Sequence, residues 1–228
     1  MPIKIFNSLT KQKEVFEPIN PGIIKMYVCG PTVYDEPHIG HLRSAYVFDM
    51  IRRYLSSSYC GYKVTFVRNV TDVDDKIIER AKRLYPDSTD PKESAERVST
   101  LYLNRYHEDL AELGIPPPDL EPKATQTIGA MIELIRQLIQ SEFAYAADGD
   151  VYFSVNKFSD YGKLSKQNKH SMLENVRLDK NDKKRDVLDF ALWKKSKTDE
   201  PSWDSPWGAG RPGWHIECSA MNRQCLGK

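Results

Sequence analysis

An α/β fold built on parallel strands is predicted by three features read in order along the chain. Residues 24 to 29, IKMYVC, form a short run rich in β-formers. From Gly40 to Tyr54 the apolar residues Leu42, Ala45, Tyr46, Met50 and Tyr54 recur at helical spacing. Residues 62 to 67, YKVTFV, are a second β-rich run. Strand, helix and strand of these lengths match a parallel βαβ crossover, in which the helix carries the chain back over the sheet.

Each further element has its own local signal. The Gly30-Pro31 pair ends the first strand. Asn69 to Leu84 reads as a loop entering a helix, with Thr71 and Asp72 as caps and acids in the first turn. Lys92 to Leu113 is a long amphipathic helix closed by Gly114, and Pro116, Pro117 and Pro118 stop any continuation. Thr127 to Gln140 is a further helix. Residues 151 to 155, VYFSV, alternate as a strand does and lead into a Lys- and Asp-rich loop. All four Trp lie between Trp193 and Trp214, in a segment dense in Gly and Pro. Residues 1–115 therefore read as the first half of an α/β core, 116–210 as an α/β insertion and 211–228 as the return to the core.

Composition narrows the function classes. At 228 residues, 40% apolar and 29% charged, the chain is long enough for a full core, which excludes disordered and low-complexity classes. Lys and Arg total 33 against 32 Asp and Glu, so a nucleic-acid partner would need local basic patches. No run approaches the roughly 20 apolar residues of a membrane span, and the N-terminus lacks the apolar core of a secretory signal. With four scattered cysteines, Cys29, Cys60, Cys218 and Cys225, a reducing cytoplasmic setting is expected rather than a disulfide scaffold.

The chemistry concentrates in Pro37-His38-Ile39-Gly40-His41, between the first strand and its helix. A helix N-terminus carries partial positive charge and unpaired N–H groups, which suits phosphate. Gly40 permits close approach, and two imidazoles three residues apart can both donate to phosphate oxygens. Elsewhere an HxxH pair is ordinarily a matter of surface or packing; its position after a strand is what points to a ligand.

His38-Ile39-Gly40-His41 resembles the HIGH signature of class I aminoacyl-tRNA synthetases. Four blocks narrow the likeness: residues 27–35 (YVCGPTVYD), 68–76 (RNVTDVDDK), 189–194 (DFALWK) and 210–219 (GRPGWHIECS) are together similar to cysteinyl-tRNA synthetases. The resemblance implies a Rossmann-like catalytic fold with ligands at the carboxyl ends of the strands. It implies that His38, Gly40 and His41 bind the triphosphate of Mg-ATP, and that the two histidines stabilise its transition state. It also implies zinc, held by Cys29 and Cys218 with a His and a Glu further along. Thiolate ligation would let that ion tell cysteine from serine, whose harder hydroxyl binds zinc poorly. Gly30, Thr32, Thr71 and Trp214 would line the amino-acid pocket, and His215 is a candidate nucleotide contact.

Spacing alone would not have joined two cysteines 189 residues apart, and each by itself reads as a small buried hydrophobe. Cys60 and Cys225 are assigned to packing. The acids of Thr71-Asp72-Val73-Asp74-Asp75 fit helix capping as well as any metal role. Lys183-Lys184-Arg185 and Lys194-Lys195 read as solvated faces, with tRNA contact as the sharper alternative. KLSK at Lys163 to Lys166 is set aside as a second ATP motif, because it precedes the Cys218 block.

The expected partners are L-cysteine, ATP and tRNA(Cys), in a monomer without a membrane. The family pattern continues past Lys228 with the remaining zinc ligands, a KMSKS loop and an anticodon-binding domain, so the simplest reading is the N-terminal portion of a longer enzyme. The implied reaction is ATP-dependent formation of cysteinyl-adenylate and transfer to tRNA. Two rivals stand beside it: a related ligase joining cysteine to an amino sugar, and a truncated non-catalytic relative that binds zinc or nucleotide.

Overall fold

The computed structural model describes residues 2–167 and 183–227; residues 168–182 of the Lys- and Asp-rich loop expected after residue 155 lie outside them. An antiparallel hairpin comes first, β1 (Lys4–Asn7) with β2 (Gln12–Val15). The expected unit follows: β3 (Ile23–Val28), α1 (Ile39–Ser56) and β4 (Lys63–Arg68), with β3 and β4 parallel from Ile23↔Lys63 to Val28↔Arg68. Its helix buries only part of the expected apolar spacing, Ala45 in the core and Leu42 packed against it. Tyr46, Met50 and Tyr54 are about half exposed, whereas Ala45, Asp49 and Leu55 point inward. Asp49 tolerates burial because Arg53, one turn on, pairs with it at 2.6 Å.

Two helices come next, α2 (Asp75–Leu84) and α3 (Pro91–Glu112). The cap of α2 differs from the sequence reading. Asp74 accepts the Lys76 N–H at 3.0 Å as the true N-cap. Thr71 and Asp72 lie outside the helix, and Asp72 instead accepts from Thr125, at 2.9 Å from its N–H and 2.6 Å from its hydroxyl. Gly114, at φ 65°, ends the path of α3 in the left-handed region that favours glycine. The proline run then feeds an extended segment beside the outer edge of β4, bridged at Val67↔Leu120 and Val70↔Lys123.

The remainder is α4 (Ile128–Gln140), a four-stranded antiparallel sheet and α5 (Trp214–Leu226). The sheet runs β5 (Ala144–Ala147), β6 (Asp150–Phe153), β7 (Phe190–Lys195) and β8 (Gly210–Pro212) in spatial order. Only β6 was visible as alternation. Two apolar clusters hold the molecule. One joins Ala45 of α1 to Ile77 of α2 and to Val98, Tyr102 and Tyr106 of α3. The other packs Met131 and Ile135 of α4 against Trp193 of β7 and Met221 of α5. Between them the ends of β3 and β4, the start of α1 and the start of α5 converge.

Candidate functional site

At the start of α1 the two histidines cap the helix and each other. The Gly40 N–H donates to His38 Nδ1 at 3.1 Å, the His38 N–H donates to His41 Nδ1 at 3.3 Å, and the rings stack with centroids 3.8 Å apart. A neutral imidazole whose Nδ1 accepts carries its proton on Nε2. The cap thus fixes both tautomers and leaves two Nε2–H donors. Burial, together with the neighbouring His38, holds the His41 pKa below its ordinary value.

Where β3 ends, Cys29 meets Cys218 of α5, their sulfurs sharing a hydrogen bond at 3.4 Å. That bond pushes the Cys218 thiol down to about 6 and raises Cys29; the pair releases its first proton early and holds its second. Asn69, fully buried just past β4, supports both sides: its Oδ1 accepts the Gly30 N–H at 3.0 Å and lies 3.8 Å from Cys218 Sγ. Gly30 is a close approach, since a Cβ there would stand 1.7 Å from Asn69 O. Tetrahedral zinc with arms of about 2.3 Å spaces two sulfurs about 3.8 Å apart, so the donors present fit two corners of such a centre. Among the described residues no third His, Cys, Asp or Glu joins them.

Behind the sulfurs the chain is tied together by buried polar contacts. Thr32 and Thr71 bridge the loops that follow β3 and β4. The Thr71 hydroxyl, 1% exposed, donates to Glu217 Oε2 at 3.0 Å. Burial pushes the Glu217 carboxyl up to about 9, against the lowering effect of the Thr71 bond and with the nearby acids adding to the rise. Trp214 opens α5 beside His215, is 58% exposed and faces a groove of about 440 Å³. Lys184, Lys194 and Lys195 line that same groove; the two basic runs, separate in sequence, share one surface. The residues that sequence reasoning passed over are Asn69 and Glu217. Both stand inside quoted blocks, but only their contacts across the fold single them out.

Residues 15–228 match the model of the class I (C) tRNA synthetase catalytic domain. The chain belongs to that family. Over its whole length this synthetase chain is 53% identical to a cysteine–tRNA ligase of Coxiella burnetii (strain RSA 493 / Nine Mile phase I), covering 48% of it, and 54% identical to one of Syntrophobacter fumaroxidans, covering 44%. It spans about half the length of the curated relatives it matches. Among solved structures, the arginyl-tRNA synthetase of Plasmodium falciparum superposes on 90% of the chain and 35% of its own, with a TM-score of 0.53 at 14% identity. That likeness carries the Rossmann-like α/β fold alone.

Proposed function

We propose that the polypeptide containing this chain is a cysteine–tRNA ligase that forms cysteinyl-adenylate from L-cysteine and Mg-ATP and passes the cysteinyl group to tRNA(Cys). The observation that carries the reading is the meeting of Cys29 and Cys218 at 3.4 Å beside the start of α1. In this reading 116–210 is an insertion in the catalytic fold, and the protein works as a cytoplasmic monomer. No helix of the described residues is long and apolar enough to cross a membrane.

The reaction needs no side-chain nucleophile, because the substrate carboxylate attacks the α-phosphorus itself; positioning and charge stabilisation do the work. His38 and His41 present Nε2–H donors to the triphosphate, and exposed Gly40 lets it approach the backbone. With Nδ1 of each ring accepting a backbone N–H in the cap, the Nε2–H donors stay aimed as charge develops. Cys29 and Cys218 would hold zinc, which when bound supplies a soft Lewis acid for the substrate sulfur. Gly30, with Thr32 and the Thr71–Glu217 pair, forms the wall of the amino-acid pocket, and Trp214 its exposed rim.

Cysteine-dependent ATP–pyrophosphate exchange by the full-length polypeptide is the test. Exchange with cysteine and none with serine at equal concentration is expected; equal exchange with both would overturn the reading. Cys29→Ser should also lower the bound zinc per chain, read by elemental analysis, and unchanged stoichiometry would remove Cys29 from the ligand set.

A further inference from the structure

The face of β3 that leads to Cys29 is pinned to α5 at both ends. Lys25 Nζ donates to the Leu226 carbonyl at 2.6 Å, and Cys29 meets Cys218 at 3.4 Å. Residues two apart on a strand share a face, so Lys25, Tyr27 and Cys29 look the same way. The two spans agree. Lys25 to Cys29 covers about 13 Å of strand, and Cys218 to Leu226 about 12 Å of helix. Tyr27 therefore lies against α5 between the two contacts, and it packs on the apolar cluster that contains Ile216, Ala220 and Met221.

The hydroxyl of Tyr27 is out of keeping with that packing. Its oxygen is closed to solvent and has no hydrogen-bond partner among the described residues. Burial raises its pKa above the ordinary tyrosine value, and Cys218 adds to the rise more than Cys29 or Cys225 does. The groups that act on this donor are sulfurs. A neutral thiol is a weak acceptor, whereas an ionised one takes a shorter and stronger hydrogen bond. Left unpaired, a buried donor weighs against the fold.

We propose that Tyr27 is a positioning residue for the sulfur pair, its O–H donating to the Cys218 sulfur when the pair holds a metal ion as thiolates. The inference rests on the reading that Cys29 and Cys218 are zinc ligands, and it gives them an outer partner supplied by β3 itself. Outer partners orient metal ligands and tune their donor strength. The hydroxyl burdens the metal-free chain and is satisfied in the loaded one, so its removal acts in opposite directions on the two states.

Tyr27→Phe in the full-length polypeptide separates this role from packing. Zinc affinity, read by competition with a chromophoric chelator, should fall about tenfold or more, the range for outer partners of metal ligands. The urea midpoint of the zinc-free variant should stay at the wild-type value or rise, because the lost group had no partner. In the cobalt-substituted protein the sulfur-to-cobalt charge-transfer band should move. Unchanged zinc affinity or a fixed band overturns the proposal. A lower zinc-free midpoint, or a variant that no longer folds without zinc where the wild type does, also overturns it, since the hydroxyl would then serve the fold. Cys225→Ala should leave zinc affinity and band at wild-type values; losses equal to those of Tyr27→Phe would make Cys225 the partner and overturn the assignment to Cys218. A wild-type polypeptide that takes up neither metal overturns the Tyr27 role together with the zinc assignment. Metal uptake that responds to Tyr27→Phe, in a polypeptide without cysteine-dependent exchange, would refute the ligase reading and leave Tyr27 in its role.

Discussion

Gly30 and Gly40 flank the same pocket but are glycines for different reasons, and substitution separates them. A methyl group at Gly30 would meet the backbone oxygen of Asn69 at 1.7 Å, whereas at Gly40 it would meet only the His38 ring, at 2.8 Å. A ring can turn aside; a buried backbone carbonyl just past β4 cannot. Gly30→Ala should destabilise by about 1–3 kcal/mol, the usual range of overpacking, and should also displace Cys29. Gly40→Ala should disturb chiefly the cap, by about 1 kcal/mol. Denaturant midpoints for the two variants check this, and equal losses would contradict it. Gly30 was legible as a turn residue next to a proline. Its actual constraint, the approach of Asn69 from 39 positions away, is set by strand register, which no local pattern encodes. Cys29 and Cys218 became a pair through the blocks around them, never through their spacing, and Glu217 was passed over because its partner Thr71 lies 146 residues back.

At the scale of single elements, the βαβ unit was readable because its periodicities are local: β3, α1 and β4 all form within two residues of their expected bounds. The short strands β5, β7 and β8 were not, since three to six residues without alternation carry no period and are stabilised by their neighbours. The start of α2 shows how composition can indicate a cap and mistake its owner. Asp74→Ala should cost about 1 kcal/mol as the loss of a helix cap. Asp72→Ala should cost more, about 1.5–3 kcal/mol, because it strips a buried carboxylate from two Thr125 donors. Urea denaturation giving the reverse order would refute the reassignment. The cap of α1 adds a pH dependence. With its folded pKa below the ordinary value of about 6.5, His41 contributes stability that is complete above that pH and declines as pH falls through the folded value. Protonation also removes an Nδ1 acceptor from the cap. In a His41→Gln variant the decline between about pH 7 and 5 should be shallower than in the wild type, followed by circular dichroism across the series; an unchanged slope would show that the cap does not titrate.

Across the whole molecule, one carboxylate ties the helices that follow β4 to the antiparallel sheet. Asp75, the first residue of α2, accepts from Lys194 of β7 at 2.8 Å and from Arg211 of β8 at 2.5 Å. Burial pulls its pKa upward, but the two cations outweigh it and hold the group below the ordinary carboxylate range. A depressed folded pKa gives stability that is complete above the unfolded value, about 3.9, and is lost as pH falls through the folded one. Asp75 is half exposed, so solvent screening limits the contribution to about 1 kcal/mol. The clamp also lines the groove that Trp214 faces, so its loss should loosen the groove as well as the fold. Asp75→Asn should therefore be less stable than the wild type by a constant amount above about pH 5, and the two should converge below about pH 3. Chemical denaturation at stepped pH measures both curves. Parallel curves through that window would mean that Asp75 titrates alike in the folded and unfolded chains, and that the sheet is held to the helices by the apolar cluster around Trp193 instead.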